Sequence, residues 1–156
     1  MELITDFLLM IVVWLGVVGG AILSFTAPEE LKPGKQHFKL AFQIIFLCSI
    51  AIFLYSLGLN IFIEIILMLI ALVIVILSRP NLILYSFSAF LLVGNVFVAS
   101  LLFVLGMVKS TLFLTPYVKK EEFTKPKIKL FFEVVKWHSP FLAVGLAGIF
   151  IQYLFF

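Results

Sequence analysis

Charge is what this sequence has least of. Asp, Glu, Lys and Arg make up 12% of its 156 residues, where a soluble domain carries about a quarter. Arginine occurs once, at Arg79, and cysteine once, at Cys48. A lone cysteine excludes an internal disulfide, a Cys-x-x-Cys redox pair and a cysteine-rich metal site, and inside an apolar run it reads as a small packing residue. A glycine-rich phosphate loop, a nucleophile elbow, a His-Glu-x-x-His helix and a pair of aspartates within an apolar run are all missing. No catalytic centre is spelled out, so an enzyme is not the leading expectation.

What is present in excess is apolar side chain: 64% of the residues are hydrophobic and 19 are Phe. One small core could not keep water off that much apolar surface, whereas acyl chains solvate it readily. The 11 basic residues outnumber the 8 acidic ones but stand mostly between apolar runs. Lipid headgroups and the positive-inside effect account for them there, and no nucleic-acid partner is expected. Ten lysines to one arginine point to an AT-rich microbial genome. The first apolar run follows closely on Met1, yet Glu2 and Asp6 precede it and Phe25, Ala27 and Pro28 make a poor cleavage site. It reads as a retained helix rather than a signal peptide.

The expected fold is all-α: a polytopic helical membrane protein, one domain over 1–156, with about five transmembrane helices at 7–25, 40–57, 61–77, 82–108 and 140–156. At about 1.5 Å per residue the first run nearly matches a hydrocarbon core of about 30 Å. Thr26 to Glu29 has the form of a capping box with Pro28 in the first turn. Gly58 and Asn60 supply a helix end and a new cap, giving a tight hairpin between the second and third runs. The run 82–108 has no charge and would measure about 40 Å, so it must tilt, emerge or bend near Gly94; tilt with emergence is preferred.

Residues 109–138 hold seven of the eleven basic side chains. Lys125, Lys129, Glu133 and Lys136 fall at helical spacing, opposite a stripe of Ile128, Phe131, Phe132 and Val135. This predicts an interfacial amphipathic helix at about 125–138, with Lys129, Lys136 and Trp137 at the headgroups. Ser139 and Pro140 then read as the cap and first turn of a last helix about 25 Å long. The alternative is four full spans and a C-terminal half-span. Loop charges divide on orientation: seven basic residues against four favour a cytoplasmic N-terminus, while the flanks of the first run favour the reverse.

Glu64 is the one ionisable residue well inside an expected span, a candidate ion or proton site or simply a carboxylate in a first helical turn. On five spans it shares a side with Asp6, Lys109 and His138. Ser88, Asn95, Ala99 and Gly106 fall on one line of a helix over 82–108, suited to close packing or to a pathway. Gly16 and Gly20 form a Gly-x-x-x-Gly pair for helix association within the chain or between chains. His37 and His138 fall at opposite faces, which excludes a shared haem; no metal site and no cofactor is expected. The chain thus reads as a multi-pass protein of the cell membrane, with the lipid bilayer and other membrane subunits or its own copies as partners. A non-catalytic subunit or scaffold leads. A small transporter or channel using Asn95 and Glu64 is the alternative, and a lipid-modifying enzyme near His138 the third.

Overall fold

The computed structural model describes residues 2–77, 82–92, 96–119 and 122–155. They form an all-helical bundle: α1 (Glu2–Thr26), α2 (Lys35–Ser56), α3 (Ile61–Leu77), α4 (Leu82–Phe87), α5 (Val96–Leu114) and α6 (Lys127–Phe155). Four of these, α1, α2, α5 and α6, are long and apolar enough to cross a membrane, and α3 is a shorter apolar helix. A 3-10 turn at Pro28–Glu30 joins α1 to α2, another at Ser88–Leu92 continues α4, and a third at Thr115–Tyr117 ends α5. A two-stranded antiparallel hairpin, β1 (Val118–Lys119) and β2 (Glu122–Phe123), leads into α6.

Contacts fix the directions. Gly16 of α1 lies against Phe103 of α5 and Gly20 against Met107, while Ser24 Oγ, whose hydrogen goes to the Gly20 carbonyl, lies 3.2 Å from Thr111 Oγ1. These pairs advance together, so α1 and α5 are parallel. α6 is antiparallel to α1: Met10 meets Gly145 near one end, and Lys127 Nζ donates to the Phe25 carbonyl at 2.9 Å near the other. Gln43 donating to the Val75 carbonyl closes the α2–α3 hairpin. Tyr85 stacks on Phe141 at 4.7 Å and Ala89 approaches Gly145, so α4 and its 3-10 turn run with α6 and against α5.

Those directions correct the expectation of one tilted helix over 82–108. Two oppositely directed segments replace it, ending at Leu92 and starting at Val96. Residues 82–92 cover roughly 19 Å, well short of a bilayer core of about 30 Å. Val96 shares a groove with Leu9 and Val12, about two turns along α1. α4 therefore starts, and α5 ends, toward the end of the bundle where α1 stops. A second difference concerns α6, which is continuous through the expected helix boundary at 138–140. Pro140 sits inside it. Proline cannot donate to the Lys136 carbonyl four residues back, and the Ser139 hydroxyl donates there at 2.8 Å instead. The pair that reads as a cap works as an in-helix repair.

Smaller departures have equally local causes. Thr26 does not cap the following turn; its hydroxyl bonds back to the Leu23 carbonyl at 2.7 Å, and Ala27 is the residue before Pro28. α2 starts at Lys35 rather than 40, absorbing His37 and Lys39 into its first turns. Cys48 is exposed on α2 rather than packed. At the other end of α2 Gly58 takes φ +61°, and the Asn60 side chain accepts the Phe62 N–H at 3.0 Å, as a helix stop and start require.

The core is a seam of α1, α5 and α6. Met10, Val13, Val17 and Ala21 repeat at three- and four-residue steps on α1 and meet Val98, Leu102 and Leu105 of α5 and Leu130, Val134 and Phe141 of α6. The outer surface is greasier than the inside: along α3 only Val75 is buried, and its isoleucines and leucines point outward on every side. Buried hydroxyls are meanwhile tied to their own helices, Ser24 to Gly20, Ser49 to Ile45, Thr111 to Met107 and Thr115 to Thr111. Apolar outside and hydroxyl-bearing inside is the arrangement a bilayer selects, because an acyl chain offers no hydrogen bond. The chain is a multi-pass, membrane-embedded protein.

Candidate functional site

The buried polar side chains are spread over the bundle, from Ser24 of α1 to Lys109, Ser110 and Thr111 of α5, Ser86 of α4 and His138 of α6. α6 turns Leu130, Val134, His138 and Phe141 inward, one residue per turn, leaving Ile128 and Phe132 73% and 65% exposed. The stripe expected from Ile128 and Phe132 is therefore out of phase with the packed face. In lipid the outward face has no reason to be polar, so apolar periodicity stops marking the interior.

His138 is 0% exposed. It lies 11 residues beyond Lys127, a rise of roughly 16 Å along α6. Its Nδ1 is 2.7 Å from the Val134 carbonyl. A carbonyl only accepts, so Nδ1 carries the hydrogen, and Nε2 in the neutral ring is left with a lone pair. Nε2 is buried without a protein partner. Edge-on ring contacts from Tyr85, at 5.6 Å, and Phe113, at 5.7 Å, hold the imidazole in place.

Tyr85 comes from the short helix α4, and its hydroxyl reaches α5, 3.0 Å from where a side chain on Gly106 would begin. Glycine at 106 makes room for that hydroxyl. Tyr85 Oη and Ser86 Oγ are also buried with no protein partner, as is Trp14 Nε1 on α1. Lys109 of α5, 8% exposed, lies with its ammonium 5.8 Å from the centre of the Phe42 ring, a cation–π distance. His138 Nε2, an acceptor, and the Tyr85 and Ser86 hydroxyls of α4 are thus each buried in the bundle without a protein partner. Chemically the group can hold a proton or hydrogen-bond a small polar molecule; nothing in it resembles a nucleophile with an activating base.

The residues singled out from sequence are distributed differently. Gly16 and Gly20 face α5 so closely that a methyl on either would run into the Phe103 or Met107 backbone, and Gly106 faces Val17 in return. Ser88 is buried on the 3-10 turn with its hydroxyl on the Tyr85 carbonyl at 2.6 Å, while Ala99 and Gly106 are on α5. The single line through Ser88, Asn95, Ala99 and Gly106 is thus not formed, and Asn95 lies outside the described residues. Glu64, in the first turn of α3, lines a mostly apolar groove between α2 and α3 with Ala51, Tyr55 and Met68. It stands at the end holding the Gly58 turn, whereas Lys109 and His138 belong to the opposite half, which corrects the side they were expected to share. His37, expected across the membrane from His138, is exposed near the start of α2 in that same half. Lys129, Lys136 and Trp137 are exposed on the first turns of α6, so they flank a crossing helix rather than a separate one lying along the surface.

Sequence reasoning passed over Tyr85 and Ser86, which sit within an apparently featureless apolar run. The available signal was a tyrosine and two serines, Ser86 and Ser88, within four residues of a membrane segment. Among the described residues no three His, Cys, Asp or Glu side chains converge to hold a metal ion. Comparison of the chain with protein-family models, with curated proteins and with solved structures finds no match.

Proposed function

We propose that the chain is a small membrane transporter, with the proton as the species its His138 centre is chemically suited to hold. The observation that carries this reading is the buried, partnerless set of His138 Nε2, Tyr85 Oη and Ser86 Oγ inside a bundle with an apolar exterior. Leaving such an atom unpaired costs about 1–3 kcal/mol each. An ionisable side chain such as His138 inside a membrane segment is a candidate for a pathway or relay by default, because burying it in lipid is costly. The Gly16–Gly20 face, an argument for a scaffold when read from sequence, is used within the chain by α5 and no longer argues for a second subunit.

The test is proton flux into liposomes holding a pH-sensitive dye, with valinomycin to clamp the potential. The parent should dissipate a pH gradient faster than protein-free vesicles. His138→Gln and Tyr85→Phe should slow it several-fold, and Glu64→Gln should leave it unchanged. A parent no faster than empty vesicles, or a His138→Gln protein of undiminished rate, overturns the proposal.

A membrane subunit is the second reading, favoured by α3. This helix packs principally on α2 and offers its other faces to whatever surrounds the bundle. Cross-linking from Leu69→Cys in a Cys48→Ser background, performed in native membranes, should capture a neighbour if α3 is an association helix. Recovery of the uncross-linked chain alone would count against it.

A further inference from the structure

Loop charges counted on five crossings divide on orientation, and the directions of the helices redistribute them. α1 and α5 end, and α2 and α6 begin, at one end of the bundle, which also carries the 3-10 turn Pro28–Glu30 and the β1–β2 hairpin. All nine described basic side chains lie at this end or within three turns of it: Lys32, Lys35 and Lys39, then Lys109 and Lys119, then Lys125, Lys127, Lys129 and Lys136. Four described carboxylates share it, Glu29, Glu30, Glu122 and Glu133, so the balance is positive. The opposite end, where α1 starts and the Gly58 turn lies, has Asp6 and Glu64 and no basic side chain among the described residues. The sequence-based division of seven against four came from counting 82–108 as one crossing. Two antiparallel segments in its place bring residues 109–138 to the same end as Lys32, Lys35 and Lys39.

We propose that this basic end is a docking surface for anionic phospholipid headgroups and therefore faces the cytoplasm. Lys119 and Lys129 are exposed around the hairpin and the start of α6, and Lys136, two turns further along, is exposed on the flank of that helix, where its long stem carries the ammonium back toward the headgroups. Lysines near an anionic leaflet are attracted to it one by one, and the attraction fades within a Debye length of the surface. Lysines retained on the cytoplasmic side set orientation, whereas carboxylates contribute little to it, so Glu122 and Glu133 do not reverse the assignment. The far end, with Asp6 and Glu64, meets the external surface.

Sidedness is read with a membrane-impermeant maleimide on intact cells and on inverted vesicles, using Glu122→Cys and Leu59→Cys, each with Cys48→Ser. The expected result is labelling of Glu122→Cys in inverted vesicles alone and of Leu59→Cys in intact cells alone. The reverse pattern, or both sites labelled from both sides, overturns the assignment. Headgroup recognition is read separately, as lipid retained in mild detergent from an equimolar mixture of phosphatidylglycerol and phosphatidylcholine. The parent should retain phosphatidylglycerol preferentially, and Lys119→Gln/Lys129→Gln/Lys136→Gln should lose that preference. Equal retention of the two lipids by the parent overturns the docking surface.

Discussion

Single atoms decide several features of this bundle. Where α1 meets α5 the two backbones are in contact, and a methyl on Gly20 would land on the Met107 backbone, whereas one on neighbouring Gly19 would meet nothing within 4 Å. Gly20→Ala should therefore lower unfolding stability in detergent by about 1–3 kcal/mol, the usual range for overpacking, and Gly19→Ala should be neutral. Equal effects at the two positions would contradict the close approach. At the mouth of α6, Lys125 donates to both oxygens of Glu133, at 2.8 and 3.2 Å, and lies over the Tyr117 ring. The hydrogen bond to Glu133 holds the Lys125 ammonium above its ordinary pKa. A folded-state value above the unfolded one means that the contribution is fully present below the unfolded value of about 10.4 and is lost as pH rises through the folded value. The stability difference between the parent and Lys125→Gln should thus be flat from pH 7 to 9 and should shrink at higher pH. A difference undiminished at high pH would show that the charge is not responsible.

At the scale of elements, the informative cases are those where local sequence and fold part company. α6 carries proline at its centre, yet the helix persists because the Lys136 carbonyl takes its hydrogen from Ser139. Ser139→Ala should cost about 1 kcal/mol in the parent and less in a Pro140→Ala background, where residue 140 again has an N–H to give. A double-mutant cycle of zero coupling would refute the repair. The Gly58 and Asn60 turn was readable because both residues act on their own backbone, within two positions in sequence. The division of 82–108 was not: no charge or proline interrupts it, and the contacts that fix its direction are to Phe141, Gly145 and Leu9, distant in sequence. His138 was visible as a residue but misplaced, because its depth depends on Ser139–Pro140 failing to start a new helix. The phase of α6 was hidden for a different reason: with lipid outside, Ile128 and Phe132 gain as much by facing acyl chains as Leu130 and Val134 gain by packing.

The membrane-embedded part of the molecule departs from the soluble pattern, with Ser24, Ser49, Ser110, Thr111 and His138 buried while the isoleucines and leucines of α3 face outward. That contrast was foreshadowed by composition alone, since 12% charge and 64% hydrophobic residues leave too few polar groups to clothe a surface in water. Its consequences for the polar centre and for the basic end both assume acyl chains around the helices. α3 offers the plainest probe, because water would be intolerable along nearly every one of its faces. Nitroxide labels placed singly at positions 61–77 of the reconstituted Cys48→Ser protein report collisions with oxygen, enriched in lipid, and with a water-soluble nickel chelate. The expected profile is low chelate accessibility at every central position, with oxygen accessibility high except on the side toward α2, where Met68 and Ala71 are half-buried and Val75 is buried. Chelate accessibility that rises and falls with a helical period along α3 would mean that one of its faces is in water, and would contradict the account.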